Sequence, residues 1–395
     1  MGALDGLKIL DFSTLLPGPF ATLMLADMGA EVLKISSKSK ADIVIDYPPF
    51  VEGTQISVNQ AWLGRNKKTL SLNLKEAQSI EIIKKLIMEY DIVMEQFRPG
   101  VMEKLGLGYE TLKAVNPKLI YCSLTGYGQT GPLKMKAGHD INYLSRSGNM
   151  AQAGRKSTGP VLTNMQIADV AVGSMNSVIG ILAAVHYRHN TGKGQYVDVS
   201  MYDGLIPFNS MDGAAFLVTG KEPEREEERL NGGCIYDFYE TKDGRYLSVG
   251  CLEPKFWNNF CICIGRPEYI EGTVWPENIA AVKADIISLI KEKKLKEWME
   301  IFKDEEVCVE PVLNLEEALI KDEHIKARQM VVDVDIPESE DKTVKQLGTA
   351  IKLSECPIEY KQGGYPIGYH TYEVMERLGF TQEQIIQMEK KGVFS

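Results

Sequence analysis

The stretch LKILDFSTLLPGPFATLMLADMGAEVLKI, Leu7 to Ile35, decides the fold class. Its opening, Leu7–Phe12, is a short apolar run that reads as a buried strand. Phe20–Met28 spaces its apolar residues for a helix and stops at Gly29. Glu31–Ile35 reads as the next strand. The same alternation continues outward. Residues 75–90 look helical and run into a strand at 91–94, and 118–124 is a further strand. Residues 36–62 carry no strong period and read as loop. Strands that alternate with helices imply a parallel sheet of the α/β class, Rossmann-like in outline.

Further along, Ile167–His189 reads as one long helix ended by Gly192-Lys-Gly194, and Gln195–Val199 as a strand. The charged run Lys221–Arg229 reads as solvated linker. Beyond it the pattern changes. Cys234–Glu240 and Arg245–Gly250 suggest a hairpin around Lys242-Asp-Gly244, and residues 276–330 look helical with charged faces. The expected layout is therefore a large α/β domain over 1–200, a linker over 201–230 and a smaller α+β domain over 231–330. Residues 331–395 form a second linker and a return to the large domain.

The composition excludes several function classes. Net charge is −10, from 44 basic and 54 acidic residues, so there is no electrostatic footprint for nucleic acid. The longest uncharged apolar stretch, Val170 to Val185, is short for a bilayer span and contains Ser174, Asn176 and Ser177. Seven cysteines without a C-x-x-C pair argue against a disulfide framework or a structural zinc and fit a reducing compartment. The N-terminus has neither a secretory nor a transit signature. A cytoplasmic protein is the expectation.

Gly126-Tyr-Gly-Gln-Thr-Gly131 matches G-x-G-x-x-G in letters, yet Pro132-Leu-Lys-Met-Lys136 follows, which is no sheet-packing helix. The loop is either a tight turn or a place where backbone approaches a thioester. His139 is either a capped loop histidine or a general acid–base group. Asp169, in the first turn of the long helix, either complements the helix dipole or is a reactive carboxylate among apolar neighbours. Arg65 with Lys67 and Lys68, and Arg98 in Phe97-Arg-Pro-Gly100, are the clearest phosphate-binding candidates in an acidic chain. Glu253 is unremarkable alone.

Taken together, Leu4–Leu10, Pro17–Ala21, Asp27–Glu31, Arg98–Gly100, Leu105–Gly108, Gly126–Pro132 and Gly194–Ser200 resemble the family III CoA transferases, the CaiB/BaiF family. Gly138-His-Asp-Ile-Asn-Tyr143, Ala168-Asp169 and Leu252-Glu-Pro-Lys-Phe256 are similar to the signatures of its α-methylacyl-CoA racemases. The resemblance implies that His139 and Asp169 face the α-carbon of an acyl-CoA from opposite sides and that Glu253 orients the histidine. It implies CoA contacts from Arg65, Lys68, Arg98 and the Gly126-Tyr127-Gly128 loop, no metal, no cofactor beyond the CoA of the substrate, and an interlocked homodimer. The transferases of the family instead use the matching aspartate as a nucleophile that forms a mixed anhydride. They typically carry a glycine run where this chain has Asn231-Gly-Gly-Cys234. One stretch departs from the relatives: after Ile35 they continue with an acidic residue and a proline, whereas Ser36–Asp42 does not.

Overall fold

A computed structural model describes residues 2–270, 277–337 and 342–395. The chain divides into two compact units: residues 1–144, 165–206 and 323–395, and residues 145–164 and 207–322. Parts of the expected helical region (271–276) and second linker (338–341) lie outside the described residues.

The first unit is built on six parallel strands: β1 (Lys8–Asp11), β2 (Glu31–Ser36), β3 (Lys67–Ser71), β4 (Ile92–Glu95), β5 (Ile120–Thr125) and β6 (Tyr196–Ser200), in the order β3-β2-β1-β4-β5-β6. The order reverses between β1 and β4. Such a switch point leaves a crevice outside the carboxyl ends of the strands, where open α/β sheets bind ligands. β4 and β5 are buried along their whole length. On one face Leu10, Leu33, Leu70 and Val93 pack with Ile83 and Leu86 of the helix Ala77–Ile87 and with Val374, Met375 and Phe394 of the C-terminal segment. Burying such side chains contributes about 1.5–3 kcal/mol each.

Three expectations change. Residues 36–62 are not all loop: Val58–Leu63 is a short helix whose first turn Ser57 caps, its Oγ accepting the Gln60 N–H at 3.0 Å. β3 was hidden because it opens with two lysines. Lys67 is nevertheless buried, its ammonium donating to the Pro19 carbonyl at 2.7 Å and Thr22 Oγ1 at 2.8 Å. The long helix is continuous from Ile167 to Thr191, but Ile167–Ser174 is wound as π-helix before the α-helix Met175–Thr191. By length and composition this helix could cross a bilayer, which a count of uncharged residues does not reveal. In the fold it packs on β5, β6 and the helix Pro17–Asp27.

The second unit contains the hairpin β7 (Asp237–Glu240) and β8 (Tyr246–Val249), extended by β9 (Val309–Pro311). Its core is aromatic: Trp257, Phe260, Trp298 and Phe302 with Tyr239. The charged run 221–229 is not a free solvated tether. Arg225 donates to the Ala153 and Met150 carbonyls, and Glu226 accepts from Arg155 and the Lys156 N–H. The run binds residues 150–156 through charge-assisted bonds, a role its composition hides.

Candidate active site

The chain segments that leave the carboxyl ends of β1, β4, β5 and β6 enclose a cavity of about 440 Å³ in the first unit. Leu15 comes from the β1 loop, Gln96 to Pro99 from the β4 loop, Thr125 and Gly126 from β5 and Met201 from beyond β6. Lys134, Lys136, His139 and Tyr143 complete the wall. Leu15 sits at φ +61°, an uncommon conformation for a leucine. Its N–H donates to Asp42 Oδ2 at 2.8 Å, so the segment that departs from the relatives braces the lip.

His139 is exposed at this wall, and its backbone is held on both sides. Its N–H donates to Asn142 Oδ1 at 3.0 Å, and its carbonyl accepts the Asn142 and Tyr143 N–H groups as the helix Asp140–Arg146 begins. The Tyr143 hydroxyl donates to the Gly138 carbonyl at 2.7 Å. Tyr143 lies so close to Gly126 and Gly138 that a Cβ on Gly126 would come within 2.4 Å of its hydroxyl and one on Gly138 within 2.7 Å of its ring. Glycine at those two positions lets the β5 loop and the histidine loop close on one tyrosine. Burial, with Asp169 nearby, pushes the Tyr143 phenol up to about 12.

Asp169 stands in the π-wound turn, half-buried. Single π turns occur frequently at functional sites. Its N–H donates to Asp140 Oδ1 at 3.0 Å. Burial is the main cause, and the Asp140 carboxylate the second, of a carboxyl pushed up from 3.8 to about 6; His139 pulls it down. Asp169 does not line the cavity itself, but His139 is within electrostatic reach of it. A carboxyl that titrates close to neutrality beside a histidine is a pair able to exchange protons with a bound group.

The other expected site residues separate. Arg98 is exposed on the cavity wall, and its guanidinium has no hydrogen bond or ion pair among the described residues. Lys134 and Lys136 stand on the same wall and escaped the sequence reading, which treated 132–136 only as a non-helical follower. Arg65 requires a correction. It is buried, pairs with Asp27 at 2.6 Å and donates to Gln346 Oε1 and the Leu347 carbonyl. A guanidinium so committed inside the fold is withdrawn from phosphates. Lys68 is likewise not brought to Arg98: it pairs with exposed Glu373 and lines a separate cavity of about 250 Å³ with Tyr365 and His370. Of the glycine loop, Gly126 reaches the cavity. Tyr127 is buried behind it, edge-on to Tyr143 with centroids 5.2 Å apart, and Gly128 makes the turn at φ +76°. The loop opens no helix. Glu253 belongs to the second unit, exposed at the start of the helix Pro254–Cys263.

A sequence model described as CoA-transferase family III matches residues 4–371. The chain belongs to CoA-transferase family III. This family III chain is 35% identical over 398 residues to the alpha-methylacyl-CoA racemase of Homo sapiens, covering 99% of this chain and 97% of the relative. It is 30% identical over 401 residues to the succinyl-CoA:glutarate CoA-transferase of Homo sapiens, covering 99% and 89%. Among solved structures, a CAIB/BAIF family protein from Brucella suis superposes with a TM-score of 0.82 at 28% identity, over 95% of this chain and 99% of that one. Family III enzymes include both racemases and CoA transferases, so the family leaves two chemistries open to this site.

Proposed function

We propose that this chain is an acyl-CoA racemase or epimerase that interconverts (R)- and (S)-2-methylacyl-CoA thioesters. The observation that carries the reading is that the Asp169 turn is held at 3.0 Å by the carboxylate of the residue next to His139, with an Asp169 carboxyl that burial raises to about 6 within electrostatic reach of that histidine. An α-proton beside a thioester is weakly acidic, so its removal needs a placed base and stabilisation of the enolate oxygen. Inversion needs a second group to return a proton on the opposite face. Two groups with different surroundings serve as base and acid in turn, and as acid and base for the other enantiomer. This chemistry calls for no metal and no redox cofactor. Arg98, with Lys134 and Lys136 on the same cavity wall, is the proposed contact for CoA phosphates, where each charge-assisted hydrogen bond contributes about 1.5–3 kcal/mol. Glu253 is assigned the orienting role toward the histidine by resemblance. Glu253→Gln should lower exchange of the enantiomer served by His139 more than that of the other.

The protein is proposed to act as an interlocked homodimer in the cytoplasm. In support of the dimer, the helix Ser210–Thr219 leaves Leu217 and Val218 84% and 86% exposed, with its Met211 and the preceding Phe208 also in solvent. Several large apolar side chains left in solvent on one short segment suit an interface. Loss of the dimer and loss of helical signal should then coincide in denaturant; a folded monomer on dilution would contradict it.

The second reading is a CoA transferase in which Asp169 attacks the thioester and forms a mixed anhydride. The identity to a transferase over the whole chain favours it. Incubation with a 2-methylacyl-CoA in heavy water separates the two. A racemase washes deuterium into the 2-position without an acceptor acid. Transfer to an acid without exchange overturns the racemase reading.

A further inference from the structure

We propose that Asp140 is a positioning residue that ties the two proton-transfer groups into one unit, its carboxylate holding the Asp169 turn from the residue next to His139. The inference rests on the reading of Asp169 as a proton-transfer group. Residues 138–143 are closed on themselves by the Asn142 and Tyr143 bonds, which fix the histidine loop but do not reach Asp169. The bond from the Asp169 N–H to Asp140 Oδ1, at 3.0 Å, makes that connection across 29 residues of chain. It also satisfies an N–H in the first turn of a helix, one of the groups left without an intrahelical partner. Removal of the carboxylate leaves the Asp169 N–H without its acceptor in the first turn of the π-wound segment, while the Asp169 carbonyl stays tied to Ser174 Oγ at 3.0 Å.

The same carboxylate acts on the Asp169 side chain. The titratable groups facing it from the histidine loop are His139, Asp140 and Tyr143. The elements packed on the π turn are the helices Pro17–Asp27, Met175–Thr191 and Met201–Leu205. They bring Asp27, then His186, Tyr187, Arg188 and His189, then Tyr202 and Asp203, while Asp140 and His139 are the charges that act on the Asp169 carboxyl. Asp140 favours the protonated form by like-charge repulsion. Position and proton affinity are thus set by one side chain, and two substitutions separate them. Asp140→Asn keeps the acceptor oxygen and removes the charge. Asp140→Ala removes both.

The test titrates Asp169 directly, by carbon NMR of protein labelled at aspartate carboxyls, with Asp169→Asn used to assign the signal. It also records deuterium exchange of each enantiomer against pH. Asp140→Asn should move the Asp169 midpoint and the matching limb of the pH profile to lower pH, with the maximal rate within about threefold of the parent. Asp140→Ala should make the same shift and in addition lower the rate about 10²-fold, the effect of a displacement of about 1 Å at a reacting group. Asn142→Ala, which loosens the histidine loop alone, should leave the Asp169 midpoint in place. An unmoved midpoint in Asp140→Asn overturns the proposal, as does an equal loss of rate in Asp140→Asn and Asp140→Ala. The NMR titration reads Asp169 whether or not the parent enzyme exchanges α-protons, so failure of the racemase reading, which is absence of exchange in the parent, stays distinct from failure of this one.

Discussion

Asp11, at the end of β1, and Asp169, in the π-wound turn, are carboxylates of one unit taken out of water to different depths, and their surroundings drive them in opposite directions. Asp11 is fully buried. Burial alone would raise its carboxyl, but Lys34 at 3.6 Å and Lys67 at 3.8 Å, with the Ser13 and Thr22 hydroxyls, hold it below the usual range. Asp169 is only half-buried, yet the charge that acts on it most strongly is another carboxylate and its carboxyl rises to about 6. Depth of burial therefore does not separate an anchor from an acid–base group. Between these two carboxyls, the sign of the neighbouring charges does. Asp11 is bound into a network that joins β1, β2 and β3, whereas no ion pair holds Asp169 among the described residues.

The largest effect expected from this contrast is on chemistry. Asp169→Ala and His139→Ala should each lower racemisation by about 10²–10⁴-fold, the usual contribution of a placed acid or base. Each should retain some exchange for the enantiomer whose proton faces the surviving group. Mass spectrometry with chiral analysis in heavy water reads both. Equal loss of exchange for both enantiomers in both variants would make Asp169 a nucleophile or an oxyanion-site residue.

Next in size is the cost of breaking the anchors. Asp11→Ala leaves two lysines without their carboxylate, and Arg65→Ala leaves Asp27 alone in the interior. Removal of one partner of a buried pair destabilises by about 3–5 kcal/mol, measurable by denaturant unfolding. Arg65→Ala should leave the CoA affinity of the protein that remains folded unchanged.

Smaller again is the effect at the cavity wall. Arg98→Ala should weaken CoA binding by about 1.5–3 kcal/mol and raise the Michaelis constant more than it lowers turnover. Calorimetry with CoA at two salt concentrations checks it, and an unchanged affinity removes Arg98 from the site.

The smallest effect concerns stability against pH. The folded state holds the Asp169 proton more tightly than the unfolded chain does, because its carboxyl is raised from 3.8 to about 6. Stability therefore falls as pH rises through that window and stays lower above it. Asp169→Asn should raise the melting temperature at pH 8 and leave it nearly unchanged at pH 4. For Asp11, held low, the sign reverses: its contribution is present above the usual aspartate range and is lost on acidification.

The sequence by itself determined the α/β class, because the buried runs at 7–12, 31–35, 91–94 and 118–124 alternate with a helical spacing that only a parallel sheet with crossover helices accommodates. It also determined the family, through motifs whose residue types are set by local chemistry, and with it the candidacy of His139 and Asp169. Tertiary structure decided what each charge does. Arg65 and Arg98 look alike in a linear string, but the partner of Arg65 lies 38 residues away at Asp27, and among the described residues no such partner reaches Arg98. β3 escaped notice because the pairing that makes a buried lysine tolerable, Lys67 with Asp11, spans two other elements. The proton affinity of Asp169 belongs to the same class. It depends on water excluded by packing and on a carboxylate 29 residues distant, and neither is a property of the residues beside it in the chain.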